Sequence, residues 1–231
     1  MTQAVEFQRN RIEEIFDYGL DAEHATIYLQ SIEDNVYNDV DDINEPGVEF
    51  RLANRFIKAL DVLSGMDPYQ HITVSMKTAG GDWGEGMAIY DAIMATTNPV
   101  TIVSYVHARS MSSIILQAAN KRILMPHSMF LYHLGTMAAE GTWTQFYSEA
   151  DFFAMTRDRM LDIYVDRMKA QGKASRWGRK RIRDWLVHRM QKVEDVYMTP
   201  EEAVEWGLAD EIFTDWGSVT ELTPAQKEFK T

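Results

Sequence analysis

The sequence predicts an α/β domain on a mainly parallel sheet, and three observations carry that reading. From His71 onward, short segments rich in β-branched residues alternate with segments of helical spacing, the signature of repeated βαβ units. The chain has 231 residues, 45% hydrophobic and 25% charged, which suits a globular protein with one substantial core. No internal repeat, low-complexity tract or linker interrupts it, so residues 1–231 are expected to form one domain.

Each element follows in order. Arg9 to Leu20 places Ile12, Ile15, Phe16 and Leu20 at helical spacing, with Gly19 near the end. Ala25 to Ile32 reads as a strand, and the acidic, turn-rich stretch up to Gly47 as a loop. Phe50 to Leu63 repeats Leu52, Phe56, Ile57, Leu60 and Leu63 at helical intervals. Strand His71 to Met76 then leads into the glycine-rich turn KTAGGDWGEG and a helix from Met87 to Met94. Strand Val100 to Val106 leads into a short apolar helix, Ser110 to Ala119, followed by short strands at Ile123 to Met125 and Met129 to Tyr132. Thr142 to Met190 is long, helical and charged, with a break at QGKASRWG. In TPEEAVEWG, Thr199 is the expected N-cap, with Pro200 first and Glu202 third in the helix.

Composition excludes several chemistries. With no cysteine, there are no disulfides, thiolate nucleophiles or thiolate metal ligands. No apolar run approaches the ~20 residues that span a bilayer, and the N-terminus lacks the apolar core of a secretory signal, so a cytoplasmic location is expected. A net charge of −12 argues against a general nucleic-acid binder. The basic run between Arg157 and Lys192 reads either as a solvated helix pair or as a surface for an acidic partner. GGDWGEG lacks the third glycine of a dinucleotide fingerprint and the Lys–Ser/Thr ending of a P-loop. No HExxH or similar cluster points to a metal.

Three residues fall where an α/β fold presents reactive groups. Ser110 follows a strand and opens an apolar helix, where free backbone N–H groups can face a reacting centre; the competing reading is a plain N-cap. His133 ends the strand MFLY, as a functional imidazole or as a hydrogen-bonded structural one, and His107 is the second candidate base. Asp195 lies just before VYMTPEEA and reads equally as a capping carboxylate. Gly80 and Gly81 follow a strand and allow an N–H to approach a developing oxyanion.

Taken together these segments resemble the Clp peptidase family, the ClpP-type serine proteases. TAGGDWGEGMAIYDAI is similar to the family's S-P-G-G segment followed by G-M-x-I-Y-D, and HARSMSS to its A-A-S-M-G-A turn. LMPHSMFLYH resembles L-P-N-S-x-x-M-I-H, and DVYMTPEEAVEWGLADEI resembles D-R-F-M-(S/T)-x-x-E-A-x-E-Y-G-L-(V/I)-D. The resemblance runs from about Phe16 to Thr214. It implies a crotonase-like ClpP fold with a protruding handle helix at 142–168, an N-terminal extension at 1–15 and a C-terminal tail at 216–231. It further implies Ser110 as nucleophile, His133 as general base, Asp195 as orienting acid, and the N–H groups of Gly81 and Met111 as the oxyanion hole. Heptameric rings stacked as a tetradecamer, a polypeptide substrate, an ATP-driven unfoldase as partner and no cofactor follow from the same resemblance.

The chain departs from the pattern at Ala79, Arg109, Ser112 and Leu134–Gly135, and carries extra residues near Asn35 to Gly47 and around QGKASRWGRKRIRDW. Thr73 and Ser75 stand where relatives often carry aromatics for unfoldase docking, which predicts docking that is weakened or that uses another surface. The alternatives are a catalytically silent subunit of a mixed ring, a crotonase-type acyl-CoA enzyme on the same scaffold, and a specialised processing peptidase such as a phage enzyme. An intact triad weighs against the first, whose members usually lose a triad residue, and separates the chain from the second.

Overall fold

The alternating apolar segments assemble into one eight-stranded sheet in a computed structural model that describes residues 10–30, 47–135 and 141–230. Its strands are β1 (Leu20–Asp21), β2 (Thr26–Gln30), β3 (Ile72–Thr78), β4 (Val100–Arg109), β5 (Lys121–Leu124), β6 (Met129–Tyr132), β7 (Val196–Met198) and β8 (Glu211–Ile212). The order is β1-β2-β3-β4-β5-β8, with β6 also on β4 and β7 on β6. Pairing is parallel throughout except β1 with β2 and β6 with β7. The mainly parallel βαβ sheet expected from the sequence is therefore present.

The strand that organises the site is β4, because it forks. Its first half, Thr101 to Ser104, pairs with Lys121 to Leu124 of β5, whereas His107 to Arg109 pair with Met129 to Leu131 of β6. The branch β6–β7 thus diverges from the main sheet at the point where β4 runs out into Ser110.

Helices α1 (Phe50–Met66), α2 (Trp83–Ala95) and α3 (Met111–Leu116) complete the βαβ units. Leu52, Phe56, Leu60 and Leu63 of α1 are buried as the spacing predicts, and the Glu49 carboxylate caps the Arg51 and Leu52 N–H groups. α2 starts well before the expected Met87, with the Asp82 side chain capping Glu85 N–H. Gly84 and Gly86 obscure that start because glycine is a poor helix former. The first helix is also shorter than expected: π-helical backbone over Glu14–Tyr18 ends at a left-handed Gly19, so Leu20 joins a strand. Residues 1–9 of the expected extension, and all of the acidic loop before Gly47, lie outside the described residues.

The long charged region forms α4 (Trp143–Ala170) and α5 (Arg179–Val193), divided at the predicted break. At 28 residues α4 is about 42 Å long. Its second half buries Met160, Leu161, Tyr164, Val165 and Met168 in the core, while Trp143, Phe146, Tyr147 and Met155 of the first half are exposed. This helix covers the segment expected as the handle at 142–168, with Thr142 as its N-cap and two further residues beyond Met168. Two members of the basic run reach across to it: Arg183 pairs with Asp158 (2.7 Å) and Asp162 (2.8 Å), and Arg179 pairs with Asp166. These pairs favour the solvated helix-pair reading of the charge run.

Helix α6 (Pro200–Trp206) opens on the predicted capping box of Thr199 and Glu202. The tail carries a further short helix, α7 (Pro224–Lys227), that sequence reading did not separate. It is tied to the body where Asn120 Nδ2 donates to the Gln226 carbonyl and Lys121 Nζ to those of Ser218 and Glu221.

Candidate active site

Sheet register brings the three predicted residues together. Ser110 is the first residue beyond β4, and its N–H donates to the Leu131 carbonyl of β6 (3.1 Å). His133 is the first residue beyond β6, and Asp195 the last before β7. Because Tyr132 pairs antiparallel with Val196, the next step along each strand sets His133 beside Asp195. The result is a continuous chain: His133 Nε2 lies 2.8 Å from Ser110 Oγ, and Nδ1 lies 2.9 Å from Asp195 Oδ1. A carboxylate only accepts, so Nδ1 carries the proton and Nε2 is left to accept from the Ser110 hydroxyl.

Two strained residues hold this arrangement. Ser110 has φ 51° and ψ −128°, a conformation costly for any residue with a Cβ, and its side chain caps nothing in α3. The plain N-cap reading therefore does not hold; the hydroxyl is turned to His133 instead. Glu194 has φ 59° and ψ −71°, and Asp195 N–H reaches the Val193 carbonyl at 2.7 Å, closing a positive-φ γ-turn between α5 and β7. The turn delivers Asp195 to the imidazole rather than to α6, so the capping reading of Asp195 fails as well. His107 lies within β4 opposite Met129, and it is His133 that bonds the Ser110 hydroxyl.

The glycine pair packs directly against this turn. Gly80 has φ 100°, and a Cβ there would stand 2.8 Å from Ser110 Cβ and 2.9 Å from the Arg109 carbonyl oxygen. Gly81, at φ 142°, forms a parallel bridge with Val48, made by Val48 N–H to the Gly80 carbonyl and Asp82 N–H to the Val48 carbonyl. In that pattern the bridged residue's own N–H points to the opposite side. Met111 opens α3, where helix geometry leaves its N–H without an intrahelical acceptor. Gly81 and Met111 both line a cleft of about 570 Å³ that also contains Ser110 and His133. Ile114, Phe152, Phe153 and Met160 give the cleft an apolar wall, with Arg157 as its cation.

Sequence reasoning missed the hydroxyls behind the turn. Ser112 Oγ accepts from Arg109 N–H (3.1 Å) and lies 2.7 Å from the Arg109 carbonyl and 2.9 Å from that of Thr78. Ser113 Oγ lies 2.6 Å from the Ser110 carbonyl and 2.7 Å from Tyr164 Oη. The available signal was the run SMSS, with hydroxyls where the family pattern has small residues. Arg109 donates to the Ala79 carbonyl (3.2 Å), tying the nucleophile turn to the glycine segment. Among the described residues no cluster of His, Asp or Glu is placed to hold a metal ion, and no helix is long and apolar enough to cross a membrane.

The family model for Clp protease matches residues 30–215, from the end of β2 through β8. The chain belongs to the Clp protease family. Its mixed α/β architecture on a mostly parallel sheet is that expected of the ClpP fold. Similar relatives include the ATP-dependent Clp protease proteolytic subunit of Deinococcus radiodurans, 30% identical over 71% of this chain and 76% of that protein. Proteolytic subunit 2 of Thermobifida fusca is 30% identical over 75% and 80%, and that of Tropheryma whipplei 28% over 73% and 87%. The chain is thus a ClpP-like peptidase by family, at a low level of identity.

Proposed function

We propose that this chain is a serine endopeptidase acting on unfolded polypeptides through an acyl-enzyme on Ser110. The observation that carries the reading is the Ser110–His133–Asp195 hydrogen-bond chain on the wall of an apolar cleft. His133 Nε2 removes the hydroxyl proton as Oγ attacks the peptide carbonyl, and the carbonyl oxygen becomes an oxyanion. The N–H groups of Gly81 and Met111 receive that charge; such donors are worth about 3 kcal/mol each in other serine hydrolases. Asp195 stabilises the imidazolium, which returns its proton to the leaving amine. Water, deprotonated by His133 in turn, then releases the acyl group and restores Ser110.

Exposed Trp143, Phe146, Tyr147 and Met155 on the handle support assembly with further copies, and the family resemblance points to stacked heptameric rings enclosing the sites. A cytoplasmic chamber fed by an ATP-driven unfoldase completes the proposal. Thr73 and Ser75, which stand where relatives often carry aromatics, line a cavity of about 460 Å³ with Tyr28, Tyr105 and Trp216. On that residue difference the proposal has unfoldase docking weakened or moved to another surface. The test is hydrolysis of unstructured fluorogenic peptides by the full chain. Cleavage by wild type that disappears in Ser110→Ala is the expected result, and equal rates for the two proteins would overturn the reading.

A further inference from the structure

Resting on the peptidase reading, we infer that Ser113 and Tyr164 are positioning residues that aim the Met111 N–H of the oxyanion hole into the cleft. Ser113 Oγ lies 2.6 Å from the Ser110 carbonyl oxygen and 2.7 Å from Tyr164 Oη. The carbonyl can only accept, so Ser113 donates to it and Tyr164 donates to Ser113. Burial pushes the Tyr164 phenol well above its usual range, which keeps it a protonated donor.

The consequence follows from peptide planarity. The Ser110 carbonyl and the Met111 N–H share one trans peptide plane and point in opposite directions. Holding the carbonyl inward, toward the handle, therefore turns the N–H outward. The Ser113 N–H also reaches this carbonyl (3.0 Å), but a single bond leaves the plane free to tilt. The Ser113 hydroxyl adds a second donor to the same oxygen, itself held by Tyr164. On the other side of the nucleophile, Ser112 clamps the Arg109 backbone, so the strained φ/ψ of Ser110 is held from both ends. Tyr164 belongs to the buried half of α4 and packs edge-on against Phe130 of β6. The relay thus links the handle to the nucleophile turn.

The experiment compares full-length wild type, Ser113→Ala, Tyr164→Phe and the double variant, with a peptide substrate and a peptide boronate that mimics the tetrahedral intermediate. Each substitution removes a hydroxyl and leaves the surrounding contacts in place. Ser113→Ala is expected to lower kcat about fivefold with KM unchanged, and to weaken boronate inhibition by a similar factor. Tyr164→Phe is expected to lose less, and the double variant no more than Ser113→Ala, because the hydroxyls act in series. Wild-type kcat and boronate affinity in Ser113→Ala, with wild type active, would overturn this inference and leave the peptidase reading standing. A loss shared equally by KM and boronate affinity would also overturn it, as the mark of general loosening. A wild type inert toward peptide and boronate would overturn both readings.

Discussion

Ser110 and Glu194 are the non-glycine residues, among those described, that the fold forces into positive φ beside the site; Ser110 bonds His133 itself, and Glu194 immediately precedes Asp195, which does. Strain of this kind costs on the order of 1–3 kcal/mol per residue and persists only where surrounding contacts over-determine it. Here those contacts are the Ser112 and Ser113 hydroxyls at one end and the α5-to-β7 turn at the other. The Asp195 carboxylate is about half exposed on the single chain, 48% of its side-chain surface, so its direct charge effect is softened by water. In the proposed mechanism its larger contribution is to fix the Nδ1–H tautomer. Asp195→Asn should therefore fold normally and lose about 10⁴ in kcat, as in other Ser–His–Asp enzymes, because the amide donates to Nδ1 and moves the proton to Nε2. Steady-state kinetics with circular dichroism of the variant checks this; a loss below tenfold would show that tautomer control is not its role. The identities of Ser110, His133 and Asp195 were legible from ordered motifs, each placed at the end of an element. Ser113, Tyr164 and Glu194 were not, because their effect depends on side-chain and backbone directions that no spacing encodes.

At the level of elements, the fork in β4 does most to build the site. It frees the C-terminal end of the strand to pair with β6, and β6 carries β7 and hence Asp195 alongside. The sequence pattern located β4 and β6 but gave no sign of the fork, which is a matter of pairing between distant segments. β1, β7 and β8, at two or three residues, were too short to leave a periodic trace. The extra residues between His133 and Asp195 fall at the break after α4 and in α5, which is held by Ile182, Leu186 and Met190 and by Trp185 packed on Trp206, the rings tilted by 31° with centroids 3.9 Å apart. Its ion pairs to the handle are exposed, and such pairs are typically worth 1 kcal/mol or less. Arg183→Ala should cost less than about 1 kcal/mol in urea unfolding, and Trp185→Ala about 2–4 kcal/mol through lost aromatic packing. Because α5 leads into the Glu194 turn, Trp185→Ala should also slow peptide cleavage. The reverse ranking would mean that charge, not packing, seats this helix.

For the whole molecule, α4 is half core and half open surface, and the open half carries the exposed aromatics Trp143, Phe146, Tyr147 and Phe152. Net charge of −12 opposes non-specific association by self-repulsion, so the adjacent exposed Trp143, Phe146 and Tyr147, which pack on one another, favour a specific contact over general stickiness. Native mass spectrometry of the full chain should show assemblies in multiples of seven subunits; a monomer at micromolar concentration would remove the enclosed chamber from the proposal. The overall class was legible because βαβ alternation and four ordered motifs span most of the sequence, whereas assembly depends on surfaces that meet only between copies. The central claim is that Ser110 is an activated nucleophile, and intact-mass measurement after fluorophosphonate treatment tests it most directly. One adduct per wild-type chain, absent from Ser110→Ala, is the predicted result. A correctly folded and assembled wild type that takes up no adduct would contradict the account and leave a ring subunit without chemistry of its own.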